Sequence, residues 1–252
     1  MIRIASEERG SGFPVLLVMG LGYGRWAWEP LVDPLAQRYR VVWYDNRGIG
    51  DSDKPPGPYT AADLAADAVQ VLDERGIERA HVVGTSLGGM VAQELALSHP
   101  ERVEKLALLC TTGGSAGGFP FPEQTVRLMA EAPSLAPDVA LRRFVENAVS
   151  ARGELVETLV ARRAANPPDP AGWQAQAAAS ATFDAWERVA AIDKQTLLLA
   201  GDEDNVVDWR NSQLLAERIP NARLELLPGT GHLFFWERPA EVVNLVNEFL
   251  SR

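Results

Sequence analysis

The stretch Gly84-Thr85-Ser86-Leu87-Gly88 places a potential nucleophile between an apolar run and a helical pattern. A serine at such a junction must adopt a strained backbone conformation, and small residues two positions before and after it let the chain turn without a clash. The hydroxyl of Ser86 would then stand above the end of a strand. The backbone amide of Leu87, in the first helical turn, would point at the group that the serine attacks.

A serine hydroxyl needs a base that accepts its proton, and the chain contains three histidines. His81 begins the apolar run that leads to Ser86, so it is expected at the opposite end of that strand. His99 follows the helix that Ser86 opens, so it is expected at the far end of that helix, out of reach of Ser86. His232 comes just after the last apolar run, in a loop expected on the same side as Ser86. We therefore predict His232 as the base.

A carboxylate must orient the imidazole and stabilise its charged form. It should follow another strand at the same edge of the sheet, and several acids follow the apolar run Leu197–Ala200. Spacing alone leaves the choice among them open. The candidates are Asp202, Glu203, Asp204 and Asp208.

A second oxyanion donor is expected in the turn Met19-Gly20-Leu21-Gly22, which follows the first long apolar run. Glycines there let the backbone approach a ligand, so the amide of Leu21 can pair with that of Leu87. Losing one of two such donors typically costs about 3–4 kcal/mol of transition-state stabilisation. A plain turn without this role is the alternative.

Short apolar runs alternate with helical patterns along most of the chain. The runs are rich in Val and Leu, which is typical of strands buried on both faces. The predicted strands are Val15–Met19, Arg40–Tyr44, His81–Gly84, Val103–Cys110, Thr196–Ala200 and Ala222–Leu227. The predicted helices are Trp26–Arg38, Ala61–Arg75, Leu87–Ser98, Asp208–Arg218 and Pro239–Leu250. This alternation indicates an α/β protein with a mostly parallel sheet between helices, in which ligands bind beyond the carboxyl ends of the strands.

The alternation breaks once, between Cys110 and Thr196, where we find helical patterns and no convincing strand. This segment opens with a glycine-rich run and is too long for a plain loop. Helices are predicted over Glu123–Ala132, Asp138–Ser150, Gly153–Ala165 and Gly172–Ala190. We predict a core formed by residues 1–112 and 191–252, and a helical cap, or lid, formed by residues 113–190 over the carboxyl ends of the strands.

The composition indicates which classes of partner and which cellular compartment to expect. The chain has 252 residues and a formal net charge of −10, which disfavours nucleic acid or an anionic membrane as a partner. Cys110 is the single cysteine, so no intrachain disulfide forms, and we expect it to be a buried strand residue. No apolar stretch approaches the roughly 18 residues that span a bilayer, and the N-terminus does not resemble a signal peptide. We therefore expect a cytoplasmic protein with a small-molecule substrate, no metal and no organic cofactor; a homodimer remains open.

These motifs resemble the α/β-hydrolase fold superfamily over nearly the whole chain. Its members carry Gly-x-x-Asp after the penultimate strand, which matches Gly201–Asp204, so the resemblance implies Asp204 as the acid. They also carry Gly-His followed by Glu-x-Pro, which matches Gly231-His232 and Glu237–Pro239. The stretch Gly84–Cys110 is most similar to the esterase and 3-oxoadipate enol-lactonase-like branch.

The family also has an Asp-x-Arg-Gly-x-Gly-x-Ser element, which matches Asp45–Ser52, and we assign Asp45 and Arg47 to loop architecture. The chain departs from the family in two places. Met19-Gly20 stands where many members have His-Gly, which removes a polar side chain but keeps the backbone donor. The N-terminus has room for one strand before Val15 where the family often has two. We therefore expect a sheet of either seven or eight strands.

The resemblance implies a serine hydrolase that cleaves carboxylic esters through an acyl-enzyme, with Ser86, His232 and Asp204 as the triad. Apolar and aromatic residues predict a pocket for a small to medium apolar or aromatic group. The candidate pocket residues are Met19, Tyr23, Trp26, Phe144, Trp186 and Leu233. The alternatives are an enol-lactone hydrolase, a C–C bond hydrolase, a cofactor-free perhydrolase and, more distantly, a non-catalytic small-molecule receptor. Lid arginines are expected on solvated helix faces, and one that points inward would favour a lactone that carries a carboxylate.

Overall fold

The computed structural model describes residues 2–252, and within them one sheet has seven strands in the order β1-β3-β2-β4-β5-β6-β7. The strands are β1 (Ser6–Arg9), β2 (Pro14–Val18), β3 (Arg40–Tyr44), β4 (Ala80–Thr85), β5 (Val103–Leu109), β6 (Thr196–Gly201) and β7 (Ala222–Leu227). β1 pairs antiparallel with β3, and the other neighbouring pairs are parallel. The mostly parallel sheet confirms the predicted α/β class. The single strand before Val15 gives a count of seven rather than eight.

Helices flank this sheet and also form an insertion between β5 and β6. The flanking helices are α1 (Glu29–Ala36), α2 (Ala61–Glu74), α3 (Leu87–Ser98), α8 (Arg210–Arg218), α9 (Phe234–Glu237) and α10 (Pro239–Ser251). The insertion contains α4 (Glu123–Glu131), α5 (Pro137–Ala148), α6 (Glu154–Ala165) and α7 (Pro170–Thr182). We call α4–α7 the inserted helical segment. Among residues 2–252, no helix combines the length and apolar character that crossing a bilayer requires.

The sheet is buried because its strands direct alternate side chains into two apolar layers. Leu16 and Val82 belong to the layer that contains side chains of α2 and α3. Their neighbours Leu17 and Val83 belong to the opposite layer, with side chains of α1 and α10. Each such leucine contributes roughly 1.5–3 kcal/mol by its burial. Burial on both faces therefore fixes the central strands, and the loops that follow their carboxyl ends lie together at one edge of the sheet.

One predicted helix begins later than expected. Residues Arg25–Trp28 form a 3₁₀ turn, and the α-helix proper starts at Glu29 rather than at Trp26. Pro30 explains the change, because proline is favoured in the first turn of an α-helix and its missing N–H costs nothing there.

The last helix of the inserted helical segment ends earlier than predicted. We expected a helix over Gly172–Ala190, but α7 stops at Thr182. Asp184 instead forms an isolated antiparallel β-bridge with Gly114. A residue whose backbone pairs with a distant segment cannot continue the i to i−4 pattern of a helix. This bridge joins the two ends of the insertion.

The inserted helical segment packs on loops that follow the carboxyl ends of strands. At the loop after β3, Gly172 lies so close to Gly48 that a Cβ on Gly172 would collide with the Gly48 carbonyl. At the loop after β7, the Leu233 amide donates to the carbonyl of Ala148 at 2.9 Å. The segment therefore covers the edge of the sheet where the predicted site residues lie. The boundaries of the predicted cap, residues 113 and 190, stay a prediction.

Candidate active site

Ser86 forms the junction between β4 and α3 in a conformation that few side chains adopt. Its φ is 56° and its ψ is −121°. Its amide donates to the Leu109 carbonyl at 2.9 Å, and its carbonyl accepts from the Thr111 hydroxyl at 2.8 Å. Strain of this kind persists only where the surroundings determine the backbone on both sides, and it is concentrated at functional sites.

The two glycines of the Ser86 motif are required by close backbone approaches. A Cβ on Gly84 would collide with the carbonyl of Gly88, and a Cβ on Gly88 would collide with the carbonyl of Val18. The sharp turn at Ser86 therefore depends on the Gly-x-Ser-x-Gly spacing, for the steric reason that the sequence indicates.

His232 and Asp204 form a buried pair. His232 Nδ1 lies 2.7 Å from Asp204 Oδ2, and the two residues are 7% and 6% exposed. The other oxygen of Asp204, Oδ1, accepts from the amides of Val206 and Val207 at 2.7 and 2.9 Å. The carboxylate is thus fixed by the backbone, and its free oxygen is directed at the imidazole. The carboxylate accepts a hydrogen bond from Nδ1–H, so the neutral imidazole carries its proton on Nδ1. Nε2 is then unprotonated and can serve as a base.

The other acids that follow β6 have different partners. Asp202 accepts from the amide of Gly229 at 2.6 Å, and Asp208 accepts from Arg210 Nε at 2.9 Å. The structure therefore brings Asp204 to the histidine, as the resemblance implies and the spacing alone did not decide.

The electrostatic surroundings of His232 favour its protonated form. Burial lowers the pKa of His232, but the Asp204 carboxylate and the Cys110 side chain together raise it more, so that it lies well above its usual value. A charge that develops on this imidazole would be stabilised by Asp204, which is what general-base chemistry requires.

Cys110 contacts both sides of the site. It follows β5 with a φ of 41°, and its sulfur lies 3.2 Å from the hydroxyl oxygen of Thr85. The thiol also donates to the His232 carbonyl at 3.3 Å. The expected burial of Cys110 is confirmed at 1% exposure, but its contact with the histidine loop was not predicted. The available signal was its position as the last residue of the predicted strand Val103–Cys110, one residue beyond the observed end of β5.

Potential ligand atoms of Cys110, Asp204 and His232 lie within 4.8 Å of one another. The chemistry of this set would suit a soft divalent cation. However, the 2.7 Å contact between His232 and Asp204 is a direct hydrogen bond and leaves no room for an ion between those two groups. We assign the cluster to hydrogen bonding rather than to a metal.

The predicted oxyanion turn lies against Ser86. A Cβ on Gly20 would lie 3.0 Å from the Cβ of Ser86. The carbonyl of the preceding Met19 accepts from Asn46 Nδ2 at 2.8 Å. The structure therefore brings the turn that contains Leu21 to the start of α3, where Leu87 lies. The roles of the Leu21 and Leu87 amides stay a prediction.

The loop residues Asp45 and Arg47 have the architectural contacts expected of them. Asp45 accepts from the amides of Arg25 and Asp51 at 2.6 and 3.0 Å. Arg47 donates to both carboxylate oxygens of Asp67 at 2.6 Å. These contacts fasten the loops after β2 and β3 to each other and to α2.

The predicted pocket residues separate into two groups. Met19 and Leu233 are buried next to residues of the site, and the rings of Tyr23 and Trp26 pack at an interplanar angle of 43° in the loop after β2, with centroids 5.6 Å apart. Phe144 instead lies on the outer face of α5 and is 41% exposed.

Trp186 packs beside Arg218 of α8, 4.5 Å from its guanidinium carbon. Phe144 therefore faces solvent and Trp186 packs beside α8, away from the predicted triad residues. Their side chains were assigned to the lid wall from residue type alone, so we leave both out of the proposed pocket.

Arg163 is an exception among the arginines of the inserted helical segment. Its guanidinium donates to the Gly22 carbonyl and stacks on the ring of Tyr23 at 4.0 Å. Burial lowers the pKa of Arg163. Within residues 2–252 it has no carboxylate partner, whereas the adjacent Arg162 pairs with Glu29 at 2.8 Å. The sequence could not separate these two neighbours.

The fold and this geometry agree with comparisons against known proteins. The chain belongs to the alpha/beta hydrolase fold family, whose family model matches residues 14–239. It is 34% identical over 232 residues to the "Putative carbamate hydrolase RutD" of Azorhizobium caulinodans, covering 90% of this chain and 87% of that protein.

Two solved structures are also similar. Est816, described as an N-acyl homoserine lactone degrading enzyme, has a TM-score of 0.85 at 32% identity and covers 98% of this chain and 97% of its own. The enol-lactonase from Burkholderia xenovorans LB400 has a TM-score of 0.88 at 26% identity, covering 100% of this chain and 97% of its own. These relatives share the hydrolase fold and differ in the substrate that their names give.

Proposed function

We propose that this protein is a serine hydrolase that cleaves carboxylic esters of small to medium apolar or aromatic substrates through an acyl-enzyme. The observation that carries the proposal is the 2.7 Å pair of His232 and Asp204, at the same sheet edge as the strained Ser86. Cys110 links the two sides, because it contacts Thr85 and the His232 carbonyl.

The mechanism has two acyl-transfer steps. The Ser86 oxygen attacks the ester carbonyl carbon while His232 Nε2 accepts the hydroxyl proton. The amides of Leu21 and Leu87 donate to the oxyanion that forms. His232 then gives its proton to the leaving alcohol as the C–O bond breaks. Water attacks the acyl-enzyme, His232 again accepts the proton, and the acid is released with Ser86 restored.

The residues around Ser86 support an apolar acyl or alcohol group. Met19 and Leu233 are buried at the site, and the rings of Tyr23 and Trp26, which pack against each other, belong to the same loop as Met19. Apolar walls with few polar groups are typical of small-molecule sites. The similarity to Est816 extends the proposal to lactones, which are cyclic esters.

Arg163 favours a second candidate, the hydrolysis of a lactone or C–C bond in a substrate that carries a carboxylate. Its guanidinium is partly buried, unpaired with any acid within residues 2–252, and next to the turn that holds Leu21. A guanidinium in such surroundings gains from a bidentate carboxylate partner. The similarity to an enol-lactonase agrees with this alternative.

The first experiment replaces the nucleophile. Ser86→Ala should abolish hydrolysis of p-nitrophenyl butyrate and labelling by a fluorophosphonate probe, while the circular dichroism spectrum and melting temperature stay close to those of the wild type. Ser251→Ala, at an exposed serine near the end of α10, is the matched control and should keep both activities. Unchanged hydrolysis by Ser86→Ala would reject the proposal.

The second experiment separates the two substrate classes. Arg163→Met should raise the KM of an ester that bears a free carboxylate, such as the p-nitrophenyl monoester of glutaric acid, by roughly tenfold or more relative to the neutral butyrate. Arg162→Met, at the exposed neighbour, is the control. An equal effect of Arg163→Met on both esters would remove the case for an anionic substrate.

A further inference from the structure

Gln176 joins the inserted helical segment to two loops of the sheet edge. It lies in α7 and is 0% exposed. Its Oε1 accepts from the amide of Gly22 at 3.0 Å, and its Nε2 donates to the carbonyl of Arg47 at 2.8 Å. Both ends of this buried side-chain amide are used, so it has one orientation and one position.

The partner of Gln176 is next to the predicted oxyanion donor. Gly22 directly follows Leu21, and Gly22 has a φ of 70°. The hydrogen bond to Gln176 fixes the plane of the peptide that joins Leu21 to Gly22. That peptide shares the Leu21 Cα with the peptide whose N–H is expected to hold the oxyanion. Once that plane is fixed, only the φ and ψ of Leu21 separate it from the plane of the donor peptide.

The backbone of the turn contributes one long hydrogen bond, from the Tyr23 amide to the Gly20 carbonyl at 3.4 Å, and this carbonyl belongs to the same peptide as the Leu21 N–H. Met19 offers it no polar side chain. Asn46, a residue of the core, holds the Met19 carbonyl at 2.8 Å, at the start of the turn. At the end of the turn, the side-chain contacts to Gly22 come from the inserted helical segment: Gln176 on the amide and Arg163 on the carbonyl.

We propose that Gln176 is a positioning residue for the oxyanion hole, which holds the Leu21 amide in the direction that binds the tetrahedral intermediate. This inference rests on the proposed serine hydrolase function. It also means that the oxyanion hole is complete only when α7 is seated on the loops after β2 and β3. Catalysis and the packing of the inserted helical segment are thereby coupled through one side chain.

The test compares two variants of Gln176 with a matched control. Gln176→Met keeps the length of the side chain and removes both hydrogen bonds. Gln176→Glu keeps an acceptor for the Gly22 amide and loses the donor to Arg47. Gln174→Met, at an exposed glutamine of the same helix, is the control. For each we measure kcat and KM for p-nitrophenyl butyrate, the inhibition constant of n-butylboronic acid, and the melting temperature.

A positioning role predicts a specific pattern. Since complete loss of one oxyanion donor lowers kcat by about 10²–10³-fold, Gln176→Met should lower kcat by roughly 10- to 100-fold with KM nearly unchanged. The boronic acid forms a tetrahedral adduct on the serine, so its affinity should fall in proportion to kcat. The kcat and the boronic acid affinity of Gln176→Glu should lie between those of Gln176→Met and those of the control. This variant provides the measurement if Gln176→Met does not fold.

Two outcomes would overturn the inference. The first is a kcat equal to that of Gln174→Met in both variants. The second is a fall in melting temperature with kcat and boronic acid affinity unchanged, which would indicate a purely structural contact. A wild type that hydrolyses the ester and is labelled at Ser86 keeps the proposed function in either case. A wild type that is neither active nor labelled would instead reject the proposed function itself.

Discussion

The Cys110 thiol donates to the backbone carbonyl of His232 at 3.3 Å, across 122 positions of sequence. The same sulfur lies 3.2 Å from the hydroxyl oxygen of Thr85, the residue before Ser86. One buried side chain thus links the strand that leads to Ser86 with the loop that holds His232. The contact does not involve the reacting atoms, so its effect on the reaction passes through the position of His232 and through the pKa of His232, which Cys110 helps to raise.

Replacing Cys110 should affect both activity and stability. Cys110→Ala removes the thiol donor and leaves the buried His232 carbonyl without that bond, a loss of about 1 kcal/mol, so we expect kcat for p-nitrophenyl butyrate to fall roughly fivefold and the melting temperature to drop. Cys110→Ser keeps a donor on a shorter side chain and should lose less. Full activity of Cys110→Ala would show that the loop holds His232 without this contact.

Asp204→Asn should be far more damaging than changes at the other candidate acids. An amide in place of the carboxylate donates where it should accept, which favours the wrong tautomer of His232 and removes stabilisation of the imidazolium. We expect kcat to fall on the order of 10⁴-fold. Asp208→Asn, at an acid that pairs with Arg210, is the control and should keep activity within about twofold. A larger loss in Asp208→Asn than in Asp204→Asn would reassign the acid.

The pH profile should report the surroundings of His232. The base must be neutral to accept a proton, and the Asp204 carboxylate and Cys110 together raise the pKa of His232 against the effect of burial. Activity should therefore fall as the pH drops, with the midpoint of the acidic limb of kcat/KM above the ordinary imidazole pKa of about 6.5. The residual activity of Asp204→Asn should show this limb at lower pH. An acidic limb below pH 6 in the wild type would contradict the raised pKa.

His81 lies outside the proposed active site, and its low pKa should make the free energy of unfolding decrease at acid pH. Burial, with Lys105 and Arg79 nearby, lowers the pKa of His81 to about 4. Between about pH 6.5 and pH 4 the unfolded chain binds a proton at this histidine and the folded chain does not, so stability is lost as the pH falls through this window. From pH 7 to pH 5 the loss is about 2 kcal/mol.

The experiment uses His81→Phe, which retains an aromatic ring beside Phe13, 4.6 Å away between centroids in the wild type. Urea unfolding at pH 7 and pH 5 should show a smaller pH dependence in this variant by that amount. Equal pH dependence of the two proteins would mean that other groups account for the acid sensitivity.

Glu237 should couple the histidine loop to the inserted helical segment. Its Oε1 accepts from the amide of Gly231 at 2.7 Å, and its Oε2 accepts from the amides of Ser150 and Ala151 at 3.2 and 2.9 Å. Glu237→Gln keeps one acceptor oxygen and leaves at least one of these amides facing an amino group. We expect a loss of about 1–3 kcal/mol in stability and a lower kcat, because Gly231 precedes His232.

A control for Glu237 is available at Glu241, an exposed glutamate that pairs with Arg238. Glu241→Gln should change the free energy of unfolding by less than about 0.5 kcal/mol. The idea would fail if Glu237→Gln and Glu241→Gln had the same stability and the same kcat.

Local patterns in the sequence were sufficient for six of the seven strands and for proposing Ser86 as the nucleophile, whereas room for the strand β1 was recognised only through the family resemblance. The apolar runs predicted the strands Arg40–Tyr44 and Ala222–Leu227 with the bounds that the structure has. Strand and helix patterns depend on neighbours a few positions apart, so they can be recognised along the chain. The Gly-x-Ser-x-Gly spacing is also a local signal, although only Gly84 relieves a clash within the turn, whereas Gly88 makes room for the Val18 carbonyl at the end of β2. The base followed by elimination, because only His232 was expected at the right end of a strand.

The remaining features depend on contacts between residues far apart in the chain, and no local pattern encodes them. Spacing alone did not distinguish Asp204 from the neighbouring acids. Only the folded loop decides which backbone amides each carboxylate accepts from, and so which carboxylate can reach His232. Nothing in the pattern of α6 distinguishes Arg163 from Arg162, because both are arginines and only the docking of the helix decides which of their two directions faces the protein. Gln176 and Gly22 are 154 positions apart, and only the seating of α7 makes them partners. The sequence by itself determined the elements and the type of chemistry, whereas the tertiary structure decided which groups meet, because that choice is made by packing across the whole fold.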